Sequence, residues 1–177
     1  TGLTHARLKG IAEARGDVLV FVDDDCLLDP DYFARTLELF GKNPFLGLLG
    51  GYGRAEYEAP PPAWLTPSLR QYHLDMQPPP FEQTLLYARV QPIFGPWFPV
   101  GAGMAIRKDL AADYAQSIRN DSVALSFDRT GKMLAGAGDL DMGIHVIRQG
   151  FAIGRSWDLR FTHVVPPFRL ELAYLLR

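Results

Sequence analysis

Three consecutive aspartates, Asp23, Asp24 and Asp25, close an apolar run, Val18-Leu19-Val20-Phe21-Val22. Successive side chains of an extended strand point to opposite faces, so Asp23 and Asp25 share a face and Asp24 points away. Two carboxylates a few Å apart repel unless positive charge lies between them. An oxygen-preferring divalent ion, Mg²⁺ or Mn²⁺, carrying a phosphorylated substrate meets that need. Three further features stand downstream: the turn Gly101-Ala102-Gly103, the pair Asp139 and Asp141, and His163 with Arg169. Each alone has a plain structural reading. An aspartate run is usually a solvated turn, an acidic group at a helix start favours the helix dipole, and a histidine after a strand is usually a satisfied structural residue. Their order along an α/β pattern joins them into one candidate site.

The elements that must position these groups are legible in the hydrophobic pattern. Thr4 reads as the N-cap of a short helix with Ala6, Ile11 and Ala14 inward and Gly16 ending it. Val18 to Val22 is β-branched and apolar, which predicts a buried strand. Asp29-Pro30 reads as N-cap and first residue of a helix with Phe33, Leu37 and Phe40 on one face, and Phe45 to Leu49 as another strand. This alternation predicts an α/β fold with a mostly parallel sheet flanked by helices. In such folds ligands bind beyond the carboxyl ends of the strands. Gln91 to Ile106 is a second apolar and aromatic segment. Lys108 to Ile118 and Asp139 to Arg148 read as helices, the latter with Leu140, Ile144 and Ile147 inward. Phe151–Trp157 and Leu159–Thr162 read as two strands, and Leu170 to Leu176 as a last amphipathic helix. Pro60-Pro61-Pro62 and Pro78-Pro79-Pro80 favour extended, solvated backbone around Trp64, Tyr72 and His73. Residues 55–95 are therefore expected to be a proline-rich insertion that shapes an acceptor pocket.

Composition excludes several classes. The 177 residues are 47% hydrophobic and 21% charged with a formal net charge of −2, which is ordinary for a globular domain and offers no basic surface for nucleic acid. The single cysteine, Cys26, rules out an internal disulfide, and the acidic neighbours should raise its pKa. No apolar run is long enough to span a membrane, so a cytoplasmic setting is expected, with any membrane association supplied by segments outside these residues. The chain opens on Thr1 and stops at Arg177 within a helical pattern, and is read as an internal piece, residues 1–177, of a longer catalytic domain.

Several motifs together resemble the family 2 glycosyltransferases, which have the GT-A fold, over nearly the whole chain. Ala6-Arg7-Leu8-Lys9-Gly10-Ile11 is similar to that family's "ARNxGI" helix, and Asp23-Asp24-Asp25 to its D-x-D motif. Phe98 to Arg107 resembles its "GxNxAxRR" strand. Gly138-Asp139-Leu140-Asp141 with Arg148-Gln149-Gly150-Phe151 resembles its "EDxDLxxRLxxxGY" helix, and His163 closes the pattern. Departures stand at Leu8, Gly103, Gly138 and near His145. The resemblance implies a nucleotide-diphosphate sugar donor and a saccharide or lipid-linked acceptor, with polysaccharide synthesis as the setting. It places Arg7, Asp23, Asp24, Gly101 and Gly103 at the donor, Trp97, Asp141 and Arg169 at the acceptor, and Asp25 and His163 on the metal. Asp139 becomes the general base of an inverting transfer. Oligomeric state is not implied.

Two alternatives are weighed. A D-x-D at a strand end also occurs in haloacid-dehalogenase-like phosphatases. Against that reading stand the helix before the strand, Cys26-Leu27 where Thr or Val follows in those enzymes, and the lack of a convincing Lys motif. A decayed binding domain is the other, with Gly138 as its mark. The retained Asp23, Asp25, Asp139 and His163 argue against it.

Overall fold

Residues 46–53, 104–106 and 152–156 of the three central strands are buried because the sheet is covered on both faces there. A computed structural model of the chain describes residues 2–73, 75, 84–87, 95, 97–123, 125 and 136–175. Pro78-Pro79-Pro80 and residues 91–94 of the second apolar segment lie outside the described residues. In chain order the elements are α1 (Leu3–Glu13), β1 (Val18–Phe21), β2 (Cys26–Leu28), α2 (Tyr32–Lys42), β3 (Leu46–Tyr57), α3 (Pro67–Arg70), β4 (Thr84–Tyr87), β5 (Met104–Arg107), α4 (Lys108–Ile118), α5 (Gly138–Arg148), β6 (Ala152–Val165) and α6 (Leu172–Leu175). Short 3-10 turns occupy Gln71–His73 and Pro167–Leu170.

The sheet runs β1-β5-β3-β6-β2, with β4 also paired to β6. Among the described residues only β3 and β6 pair in parallel; the other four pairings are antiparallel. The sheet is therefore mixed, not mostly parallel. Both β1 and β3 run antiparallel to β5, so they do share a direction, as a helix crossover requires. The departure is β5, which is wedged between them.

Side chains alternate across this sheet. Leu19, Leu48, Met104, Ile106 and Ile153 pack with Ile11, Leu110, Tyr114, Met142 and Val146 from α1, α4 and α5. Leu46, Leu49, Ala105, Ala152 and Phe161 pack on the other face with Tyr32 and Phe40 of α2. Leu48, Leu49, Met104, Ile106 and Ile153 are fully buried, and each contributes about 1.5–3 kcal/mol.

Three helix faces differ from the periodicity reading. Helix α1 has Gly2 rather than Thr4 at its N-cap position, and buries Thr4, Arg7 and Ile11 while Ala6 is exposed. Helix α2 is capped at Asp31 rather than Asp29 and buries Tyr32, Thr36 and Phe40, leaving Phe33 57% and Leu37 59% exposed. Helix α5 buries Met142, Gly143, Val146 and Ile147, with Leu140 and Ile144 only half-buried. In each case a polar or small residue is what fits against the sheet, and hydrophobicity alone does not report that.

The two strands expected at 151–162 are one, β6, paired with β3 through an irregularity. Gly50 lies opposite Arg155 and Tyr52 opposite Arg160, so a single residue, Gly51, faces a four-residue bulge. Arg155, 5% exposed, donates from Nε (3.1 Å) and Nη2 (2.9 Å) to the Gly51 carbonyl. The bulge resets the register so that His163 falls opposite both Ala55 and Cys26. A Cβ at position 51 would stand 2.3 Å from the Leu159 carbonyl oxygen, a backbone atom with little room to yield. Gly51→Ala should therefore cost about 1–3 kcal/mol, read as a lower urea midpoint; an unchanged midpoint would show that the bulge relaxes freely.

Candidate active site

After Phe21 the chain leaves the sheet, and the aspartates lie on a turn between β1 and β2, closed by the Cys26 N–H donating to the Asp23 carbonyl at 3.0 Å. The expected alternation survives: Asp23 and Asp25 are half-buried and Asp24 is exposed. The β2–β6 register and a Val164 N–H bond to the Asp25 carbonyl (2.8 Å) then bring the Asp25 carboxylate to the His163 ring. Asp25 Oδ2 is 3.4 Å from His163 Nε2. Arg169, in the turn after β6, places Nη2 2.7 Å from the same Oδ2 and Nη1 3.0 Å from His163 Nε2.

Hydrogen-bond chemistry fixes the histidine's state. A guanidinium only donates, so Nε2 accepts. Nδ1 lies 2.5 Å from the His73 backbone carbonyl, which only accepts, so Nδ1 carries the proton. A lone pair on Nε2 with N–H donated to a carbonyl is the arrangement of a ligating histidine.

Burial works to raise the Asp25 carboxyl, but the Arg169 charge and the hydrogen bonds from Cys26 and Arg169, joined by the His163 charge only when that ring is protonated, outweigh it, and the net shift is downward. Cys26 moves the other way. Burial first, then Asp25 and Asp23, push its thiol up to about 12, so it stays protonated. The expected direction is met, with burial as the larger cause.

The donor set can be tested against a divalent ion. Ligand atoms of Asp23, Asp25 and Cys26 all lie within 4.8 Å of one another. With Cys26 a neutral thiol, that group offers two carboxylates, an oxygen set that suits Mg²⁺ or Mn²⁺ rather than a thiophilic metal, and His163 adjoins it through Asp25 Oδ2. Asp25 Oδ2 and His163 Nε2 both hold the Arg169 guanidinium, so an ion taking these two atoms would have to displace it.

A second corner forms around Asp139. Its Oδ2 accepts the Gly101 N–H and its Oδ1 the Leu140 N–H, both at 2.9 Å. Arg7 reaches the same place: a Cβ on Gly101 would meet Arg7 Nη2 at 2.5 Å and Asp139 Oδ2 at 3.5 Å. Arg7 also lies over the Phe21 ring at 5.9 Å. Since Phe21 pairs with Met104 in antiparallel β1 and β5, the residues after β1 and those before β5 meet at one end of the sheet. Both corners therefore share that end.

Other expected site residues are placed less directly. Gly103 has φ +71 and takes the Tyr32 hydroxyl on its carbonyl at 2.6 Å, so its conformation shapes the turn. Asp141 accepts from the Tyr114 hydroxyl at 3.0 Å, tying α5 to α4. Trp97 is half-buried and packs against the core. Sequence reasoning missed the roles of His73 and Tyr32. His73 is 1% exposed, and its Nε2 donates to the Arg169 carbonyl at 3.1 Å. A histidine between two proline triplets was the one available signal.

The family profile described as Glycosyl transferase family 2 matches residues 1–113, from α1 into α4. The chain is a family 2 glycosyltransferase. The match contains Arg7, the acidic turn and Gly101–Gly103, and ends before α5 and β6. This family 2 enzyme thus transfers a glycosyl group from a nucleotide-sugar donor to an acceptor. A comparison with curated proteins finds no match. Among the described residues no helix is long and apolar enough to cross a membrane.

The Asp25 shift has a consequence for acid stability. A lowered folded-state pKa means the unfolded chain binds the proton first. Stability is then present above the ordinary value of 3.8 and is lost as pH falls through the depressed one. With a chelator present, Asp25→Asn should flatten the fall of the urea midpoint below roughly pH 5. An equally steep fall in the variant would contradict the assignment.

Proposed function

We propose that the protein performs an inverting transfer with Asp139 as general base and a divalent ion, Mg²⁺ or Mn²⁺, at Asp25, His163 and Asp23. The observation that carries this reading is the aiming of Asp139. Two backbone N–H groups hold its carboxylate at the sheet end that also bears the acidic turn. A base fixed in this way spends no entropy on orientation as it takes the proton.

In the reaction, an acceptor hydroxyl oxygen forms a bond to the anomeric carbon as its proton passes to Asp139. The bond from that carbon to the donor diphosphate breaks, and the nucleoside diphosphate leaves with the electron pair. When bound, the ion would offset negative charge on the leaving diphosphate. Asp25 and His163 orient the cation side, and Arg7 supports the turn at Gly101 against Asp139. Trp97 and Arg169 are assigned to the acceptor side, with Asp141 acting there by pinning α5. Residues 55–95 join them, since Leu65 and Trp64 pack with Leu170 and Val165 next to the Arg169 turn.

Asp139→Asn keeps the shape and loses the base. Transfer from nucleotide sugars in the intact protein should fall by about 10²–10⁴-fold, while calorimetry shows donor affinity unchanged. Turnover equal to that of the unaltered enzyme would remove the base assignment.

A further inference from the structure

His73 makes two contacts that no role in the reaction so far explains. Its backbone carbonyl takes the proton on His163 Nδ1. Its ring Nε2 donates to the backbone carbonyl of Arg169 at 3.1 Å. One residue, 1% exposed, thus touches both groups that flank Asp25. It comes from the first half of the proline-rich insertion, far from either in sequence.

The surroundings keep that residue in place. The preceding helix α3 and the 3-10 turn hold it at the end of a segment whose Leu65, Trp64 and Leu69 form a small core with Val165 and Leu170. The His73 ring stands edge-on to Tyr57 at 6.0 Å. The Ala55 N–H donates to Asp75 at 3.2 Å, closing the loop behind it. Backbone on both sides of the contact is therefore anchored, and the histidine is the link between them.

We infer that His73 is a positioning residue: it selects the His163 nitrogen that faces Asp25 and fixes the height of the Arg169 turn, so the insertion governs the cation corner. The inference rests on the proposed cation site for its functional meaning. The physical argument is about tautomers. An imidazole in water protonates either nitrogen, and the Nε2–H form offers no lone pair to an ion. A carbonyl held at Nδ1 removes that form. Losing the anchor lets the carbonyl drift, and such supporting contacts typically govern metal affinity 10–100-fold.

The test compares His73→Leu, which fills the space without a donor, with His73→Gln, whose amide nitrogen is as many bonds from the backbone as Nε2. His73→Asn, one bond too short, repeats the loss if the leucine variant does not fold. Two readouts are taken on the intact protein. One is the ¹⁵N imidazole shift pattern of His163 without metal. The other is Mn²⁺ affinity by calorimetry. The Leu and Asn variants should show mixed His163 tautomers and Mn²⁺ binding about 10–100-fold weaker, and Gln should restore both. Unchanged tautomer and affinity in Leu or Asn would overturn the inference. If the unaltered protein binds no Mn²⁺, the cation reading fails, and the tautomer pattern alone then decides the role of His73.

Discussion

A carboxylate with 22% of its side-chain surface exposed has lost most of its hydration, at a cost on the order of several kcal/mol unless charge and hydrogen bonds replace the water. Asp25 is in that position, and much of the surrounding architecture follows from it. The β2–β6 register brings His163 alongside. The bulge at Gly51 makes that register reachable from a strand that begins in the core. The turn after β6 returns Arg169 to the carboxylate. Each element is ordinary alone; together they set an arginine and a histidine against one carboxylate at the end of a sheet.

The Asp139 corner depends on the same sheet through a different strand. By inserting between β1 and β3, β5 carries the Gly101–Gly103 turn to the tip of β1. The mixed topology is thus the means by which Asp139 and the acidic turn come to one end. Tyr32 secures the turn from the other face, through the Gly103 carbonyl. Its burial in α2, which hydrophobicity alone assigned to Phe33 and Leu37, is a part of the site's support.

Much of this was legible in the sequence because the signals were local. The strand at Val18–Phe21 and helix α4 follow from runs of residue type, although β1 is mostly half-buried at the sheet edge rather than buried, and the aspartates follow it on a turn rather than along its extended end. The exposure of Asp24 between two half-buried neighbours was legible too. The family was legible from short motifs, and the match over residues 1–113 bears that out. What was not legible is nonlocal. Strand order depends on β5, which arrives more than fifty residues after β1. The continuity of β6 depends on a glycine in β3. The position of His73 depends on a small core between the insertion and the end of β6. Helix faces were misread where Arg7, Thr36 or Gly143 turns inward, since a periodicity of apolar residues cannot register a buried polar or small one.

The proposed function requires the Asp25–His163 corner to receive a divalent cation through a carboxylate oxygen and the His163 Nε2 lone pair. Pulsed electron paramagnetic resonance of Mn²⁺ bound to the intact, ¹⁵N-histidine-labelled protein tests it most directly. Spin-echo modulation from one directly coordinated imidazole nitrogen, absent in His163→Ala, is the expected result. Tightly bound Mn²⁺ without histidine coupling would contradict it.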